Sequence, residues 1–151
     1  QRYDKVIARK EYLVAVGDIP IALVAHMDTV FKFPVSNLYY DRKKEVLWSP
    51  EGLGADDRAG IFSIVQIVKD GFRPTIILTT DEEKGCLGAQ ALVKYVPEAP
   101  TKFKYILELD RKGYNDCVFY ECDNPAFTNY VKSFGFEFDY GSFSDISEIL
   151  K

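Results

Sequence analysis

The 151-residue sequence is poor in the residues that most often signal chemistry: one histidine, one tryptophan, one methionine and three cysteines. The thiols of Cys86, Cys117 and Cys122 are odd in number and form no C-x-x-C pair. They read as reduced thiols of a cytoplasmic protein rather than a disulfide framework. With His26 the sole imidazole, no cysteine has a second histidine to serve as its base, which weighs against thiol catalysis. No apolar run approaches the roughly 18 residues that span a membrane, and no secretory signal is visible. Lysines and arginines are scattered and outnumbered, 19 against 23 acidic residues for a net charge of −4, so nucleic acid is not an expected partner. What the chain has in quantity is apolar material, 47% hydrophobic with 15% aromatic, enough for the core of one domain over residues 1–151.

Periodicity gives the architecture. Lys5 to Val16 alternates polar residues with β-formers and reads as an edge strand or hairpin arm ending at Gly17-Asp18. Ile21 to Ala25 is continuously apolar, as a strand covered on both faces must be. Leu38-Tyr39-Tyr40 and Val46-Leu47-Trp48, separated by a charged stretch, predict a surface hairpin. Ile61, Ile64, Val65 and Val68 recur at helical spacing and predict a helix over Asp57 to Lys69, closed by Gly71. Thr75 to Thr80 is the next strand, and Leu87 to Val96 a helix stopped by Pro97. Phe103 to Leu109 and Val118 to Glu121 are expected as strands, antiparallel neighbours across a Gly113-Tyr114-Asn115 turn. A helix over Ala126 to Phe134, a short strand over Phe136 to Tyr140 and a final helix capped by Ser144 follow. Strands and helices alternate throughout, which predicts an α/β fold: a three-layer αβα sandwich on a mixed, mostly parallel sheet.

Three apolar runs end on groups that bind metals. The first ends at His26-Met27-Asp28, the second runs into Asp81-Glu82-Glu83, and the third stops at Asp110. Between the first two, Gly52-Leu53-Gly54-Ala55-Asp56-Asp57 opens a helix. Strand ends in an open α/β sheet share one edge, where ligands bind, and imidazole with carboxylates suits zinc. Each motif has a plainer reading. A lone histidine after an apolar run is often a hydrogen-bonded structural residue; acidic residues favour a helix N-terminus; adjacent glutamates make a solvated turn; Asp110 could end its strand in a simple turn. Residues two apart on a strand share a side, so Asp28 can reach the second imidazole nitrogen and orient the first. Paired carboxylates can divide the work, one holding metal while its neighbour moves protons. The convergence of four such motifs on one sheet edge favours the metal site.

These stretches resemble the co-catalytic zinc exopeptidases, the superfamily that includes peptidase T-like tripeptidases, zinc aminopeptidases and acetylornithine deacetylase relatives. The resemblance rests on His26-Met27-Asp28-Thr29-Val30, Gly52 to Gly60, Asp81 to Ala89 and Glu108-Leu109-Asp110, in family order. It implies that His26 and Asp110 hold a first zinc, Asp56 bridges two, Glu83 holds the second, Glu82 is the general base and Asp28 orients His26. It also implies a cis peptide between Asp56 and Asp57. The substrate would be a short peptide cleaved by an aminopeptidase, or an N-acyl amino acid cleaved by an amidohydrolase; a catalytically silent zinc-binding or interaction module of the same fold is the remaining reading.

The family pattern ends with a second histidine, which this sequence lacks, while residues 141–147 resemble the segment preceding it. The chain is therefore expected to lack its C-terminal part, to hold its second zinc weakly and to turn over little on its own. No lid domain is expected. An unpaired sheet edge would permit a homo-oligomer. Phe31, Phe33, Tyr114 and Phe143 could line a pocket, but the core is their expected place.

Overall fold

The computed structural model describes residues 3–98 and 100–151. A five-stranded sheet carries the fold, with β1 (Lys5–Ala8), β2 (Tyr12–Val16), β3 (Ile21–His26), β6 (Thr75–Thr79) and β7 (Tyr105–Glu108) in the order β1-β2-β6-β3-β7. The stretch read as one edge strand or hairpin arm is two strands: β1 and β2 pair antiparallel with each other, and β2 pairs antiparallel with β6. β3 pairs parallel with both β6 and β7. Four strands therefore run one way and β2 alone runs against them, a mixed sheet of the α/β class.

β3 is apolar along its whole length because both of its faces are covered. Ala22 and Val24 join Tyr12, Ile77, Ala89, Leu92 and Ile149 on one face. Leu23 and Ala25 join Ile64 on the other. The first cluster receives α2 (Leu87–Tyr95) and α4 (Asp145–Ile149), and the second receives α1 (Ala55–Lys69). On α1 the buried stripe is Ile61, Ile64 and Ile67; Val65, expected in the stripe, is exposed. Ser144 and Ser147 form a reciprocal capping box that opens α4.

The region after β7 departs from the sequence reading. Val118 to Glu121 is not a strand, and no antiparallel partner for β7 forms there. Instead β8 (Asp116–Cys117) pairs in parallel with β9 (Glu137–Phe138) as a separate two-stranded ladder, flanking α3 (Pro125–Lys132). The expected reversal across Gly113 is replaced by Arg111, which reaches Asp116 and Asp139 and so ties the segment to β9's side. The outer edge of β7 is unpaired among the described residues. Phe31, Phe33, Tyr114 and Phe143 are exposed rather than in the core, because each lies in a connecting loop outside the two apolar clusters. The hairpin of β4 (Tyr39–Asp41) and β5 (Val46–Trp48) stands out from the sheet, held by Tyr39 stacked on Trp48 with ring centroids 5.0 Å apart. Among the described residues no helix is long and apolar enough to cross a membrane.

α2 is seated by a close backbone approach. Gly88 donates its N–H to the Thr80 carbonyl at 2.9 Å, while Thr80 donates to Glu11 at 3.0 Å. A β-carbon on Gly88 would lie 2.5 Å from the Thr80 oxygen and 2.6 Å from that of Glu11, and both are backbone atoms that cannot swing aside. Helix propensity favours alanine over glycine by about 1 kcal/mol, but steric overlap of this kind costs about 1–3 kcal/mol or more. Gly88→Ala is therefore expected to lower the free energy of unfolding in a urea titration; a gain in stability would contradict this packing.

Candidate metal centre

Parallel register brings the strand ends level. His26 lies beside Thr79, and Val24 beside Glu108, so Asp110 comes up two residues further along β7 beside His26. The ladders run slightly past the strands, with Met27 N–H on the Thr79 carbonyl at 2.8 Å and Leu109 N–H on that of Val24 at 3.1 Å. His26 is buried, its Nδ1 3.1 Å from the Asp28 carbonyl and 3.4 Å from the Asp28 carboxylate. The backbone carbonyl is thus the nearer partner of Nδ1, where the sequence suggested the carboxylate. Nε2 points the other way, 2.9 Å from Asp56 Oδ1 and 3.8 Å from Asp110 Oδ2.

The Asp28 carboxylate is occupied with the glutamates. It accepts from the backbone N–H of Glu82 at 3.1 Å and of Glu83 at 3.3 Å. These two residues open a 3-10 turn, Glu82–Lys84, entered through Asp81 with φ +56°. One carboxylate therefore locks the β6 exit loop onto the β3 exit loop. Glu83 is half-buried and aims into the cleft; one donor atom each from His26, Asp56 and Glu83 falls within 4.8 Å of the others. Glu82 turns inward and is buried.

At the start of α1 the two aspartates part company. The Asp56–Asp57 peptide is cis, and neither residue has helical backbone angles. Asp57 is buried and caps the helix, its Oδ1 accepting from Gly60 N–H at 3.0 Å. The Asp56 side chain is 67% exposed and faces His26. The capping reading holds for one residue and the cleft-facing reading for the other. The close fit of α1 on β7 needs Gly60, where a β-carbon would meet Asp57 Oδ1 at 2.4 Å and the Leu109 carbonyl at 2.7 Å.

All six residues singled out in the sequence, Asp28, His26, Asp56, Glu82, Glu83 and Asp110, thus meet in one cleft. One imidazole nitrogen and several carboxylate oxygens crowded together form a donor set that suits zinc. Sequence reasoning missed two polar groups beneath them: half-buried Glu108, which accepts from Ser144 Oγ and from Ile146 N–H at 2.9 Å, and buried Asp145, which accepts from Thr79 Oγ1. A signal for Glu108 was present, since a carboxylate interrupts the otherwise apolar Ile106 to Leu109.

The surroundings raise the proton affinities of six of these groups: His26, Asp57, Glu82, Glu108, Asp110 and Asp145. Burial opposes the charged form of His26, but its bond to Asp56 and the charges of Asp110, Glu82 and Asp28 outweigh this and raise it to about 9. Burial, then the Asp110 charge, raises Asp57 to about 7. Burial first raises Glu82 to about 7, Glu108 to about 8 and Asp145 to about 6. Asp110 is raised by burial and by Asp56. Every one of these groups binds its proton more tightly folded than unfolded, so each contributes stability below its ordinary value that is lost as pH rises through the folded one. The Tm of chelated protein should accordingly fall as pH rises from about 5 to about 9. Saturating zinc should flatten or reverse that slope, because ligands bind metal deprotonated. A chelated-protein Tm that climbs through neutrality would contradict the cluster.

No curated protein and no solved structure matches the chain. Peptidase family M28 matches over residues 10–135, a stretch that holds His26, Asp28, Asp56, Glu82, Glu83 and Asp110 together. The match covers most of the chain and places it among the zinc co-catalytic exopeptidase-type proteins. The chain belongs to peptidase family M28.

Proposed function

We propose that this member of a zinc-dependent peptidase family is an aminopeptidase acting on short peptides. The observation that supports the reading best is the pair Glu82-Glu83, held by Asp28 so that one carboxylate faces the His26–Asp56 cluster and the other stays beside it. His26, Asp56, Glu83 and Asp110 would hold zinc, with Asp56 placed to bridge. Zinc bound there supplies Lewis acidity toward a scissile carbonyl and makes water a stronger acid.

The chain's own residues do the rest. His26 is held by the Asp28 carbonyl at Nδ1, which leaves Nε2 as the donor facing the cleft. Glu82, beside the metal ligands, takes a proton from the attacking water and delivers it to the departing amine. A carboxylate raised toward neutrality by burial suits that exchange. The five carboxylates of Asp28, Asp56, Glu82, Glu83 and Asp110 match or slightly exceed the charge of two divalent ions, so the loaded cleft carries no positive excess. Such a site favours the α-ammonium of a peptide N-terminus over a free carboxylate. This is the argument for an aminopeptidase over a hydrolase of N-acyl amino acids, whose substrates carry a carboxylate and no ammonium.

Zinc-loaded protein should cleave a dipeptide amide with a free N-terminus and spare its N-acetylated counterpart. Glu82→Gln should keep its zinc and lose about 100-fold or more in kcat, the usual contribution of a positioned proton carrier. Cleavage of the acetylated substrate alone would establish an amidohydrolase instead. Zinc binding without cleavage of either substrate would favour the silent reading, provided the intact natural chain is the one assayed.

A further inference from the structure

We propose that Cys86 and Asp145 are positioning residues that fix the carboxylate of Glu82 from beneath, an inference that rests on Glu82 being the proton carrier. The inward turn of Glu82 brings its Oε1 within 3.8 Å of Cys86 Sγ, with the thiol as donor. Its other oxygen, Oε2, makes no hydrogen bond among the described residues and is left for the reacting water. Cys86 also lies beside Asp145, whose carboxylate accepts from the Thr79 hydroxyl. Thr79 is the β6 residue in register with His26. The path therefore runs from the strand that carries the metal-facing loop, through Asp145 and the thiol, to Glu82.

Two features set this chain of contacts apart from ordinary core packing. Cys86 occupies the left-handed region at φ +57°, as the N-cap of α2, with no capping bond from its side chain. A residue with a β-carbon is disfavoured there, and glycine would fit at no steric cost. What cysteine adds over glycine at this position is packing in the first apolar cluster together with the thiol against Glu82. Asp145 is fully buried, and its Oδ1 has no hydrogen-bond partner among the described residues. A buried carboxylate with an orphan oxygen is costly to the fold. Stability alone would be better served by an apolar side chain; what the carboxylate adds is a polar neighbour to the thiol and to Glu82. Asp145 arrives from α4, far along the chain, which makes the geometry of Glu82 depend on the seating of that short helix.

The S–H stretching band of Cys86, assigned by infrared difference against Cys86→Ser, reads this contact without turnover. Glu82→Gln, with zinc content and circular dichroism unchanged, should shift that band, and so should Asp145→Asn. A band that neither substitution moves would overturn the proposal. In hydrolysis, Cys86→Ala should lower kcat by about 10- to 100-fold, as misplacement of a reacting group does, with KM and zinc content retained and partial recovery in Cys86→Ser. Unchanged kcat in Cys86→Ala would equally overturn it. Should the unsubstituted protein fail to hydrolyse peptides, the aminopeptidase reading falls while the infrared result still decides the contact.

Discussion

Parallel pairing of β6 and β7 on either side of β3 is the constraint on which everything at the cleft depends. Register makes three strands stop at one level, so residues separated by more than fifty positions arrive side by side without a long loop to carry them. Burial of β3 on both faces fixes that register, because a one-residue slip would exchange Ala22 and Val24 with Leu23 and Ala25 between two different apolar clusters. The core is what holds the chemistry in place.

A second layer of organisation converts level strand ends into a defined site. Asp28 joins the β3 exit to the β6 exit through two backbone N–H groups, and its carbonyl holds His26. Asp57 and Gly60 seat the start of α1 against β7, which turns Asp56 toward His26 Nε2. Glu108 receives the start of α4, and Asp145 follows within it. The price of this arrangement is a concentration of carboxylates, among which Asp57, Glu82, Glu108, Asp110 and Asp145 are held above the usual carboxylate range. A divalent cation balances them where a basic side chain would compete for the same oxygens.

Much of this was legible in the sequence, for a physical reason. Buried parallel strands are written as unbroken apolar runs, so the residues that end them are conspicuous: His26, Asp110 and the Asp81-Glu82-Glu83 run stood out against Ile, Leu and Val. The resemblance that those motifs carry named the zinc exopeptidase superfamily, to which the match to peptidase family M28 over residues 10–135 belongs. The parts that could not be read are those set by contacts across the fold. Val118 to Glu121 has the composition of a strand, yet Arg111 and its two aspartates hold the neighbouring segment toward β9. The loop aromatics Phe33 and Phe143 look like core residues by type and lie on the surface by position. The meeting of Asp145 and Cys86 could not be read, because a carboxylate at a helix start and a lone thiol are each ordinary until Thr79 and Glu82 are seen beside them.

The central claim is that the four candidate ligands converge on zinc. X-ray absorption at the zinc edge of metal-loaded protein tests it most directly. The account predicts a shell of oxygen and nitrogen donors with one imidazole, and loss of oxygen scattering in Glu83→Ala. A shell containing sulfur, or a spectrum of fully hydrated zinc unchanged by that substitution, would contradict it.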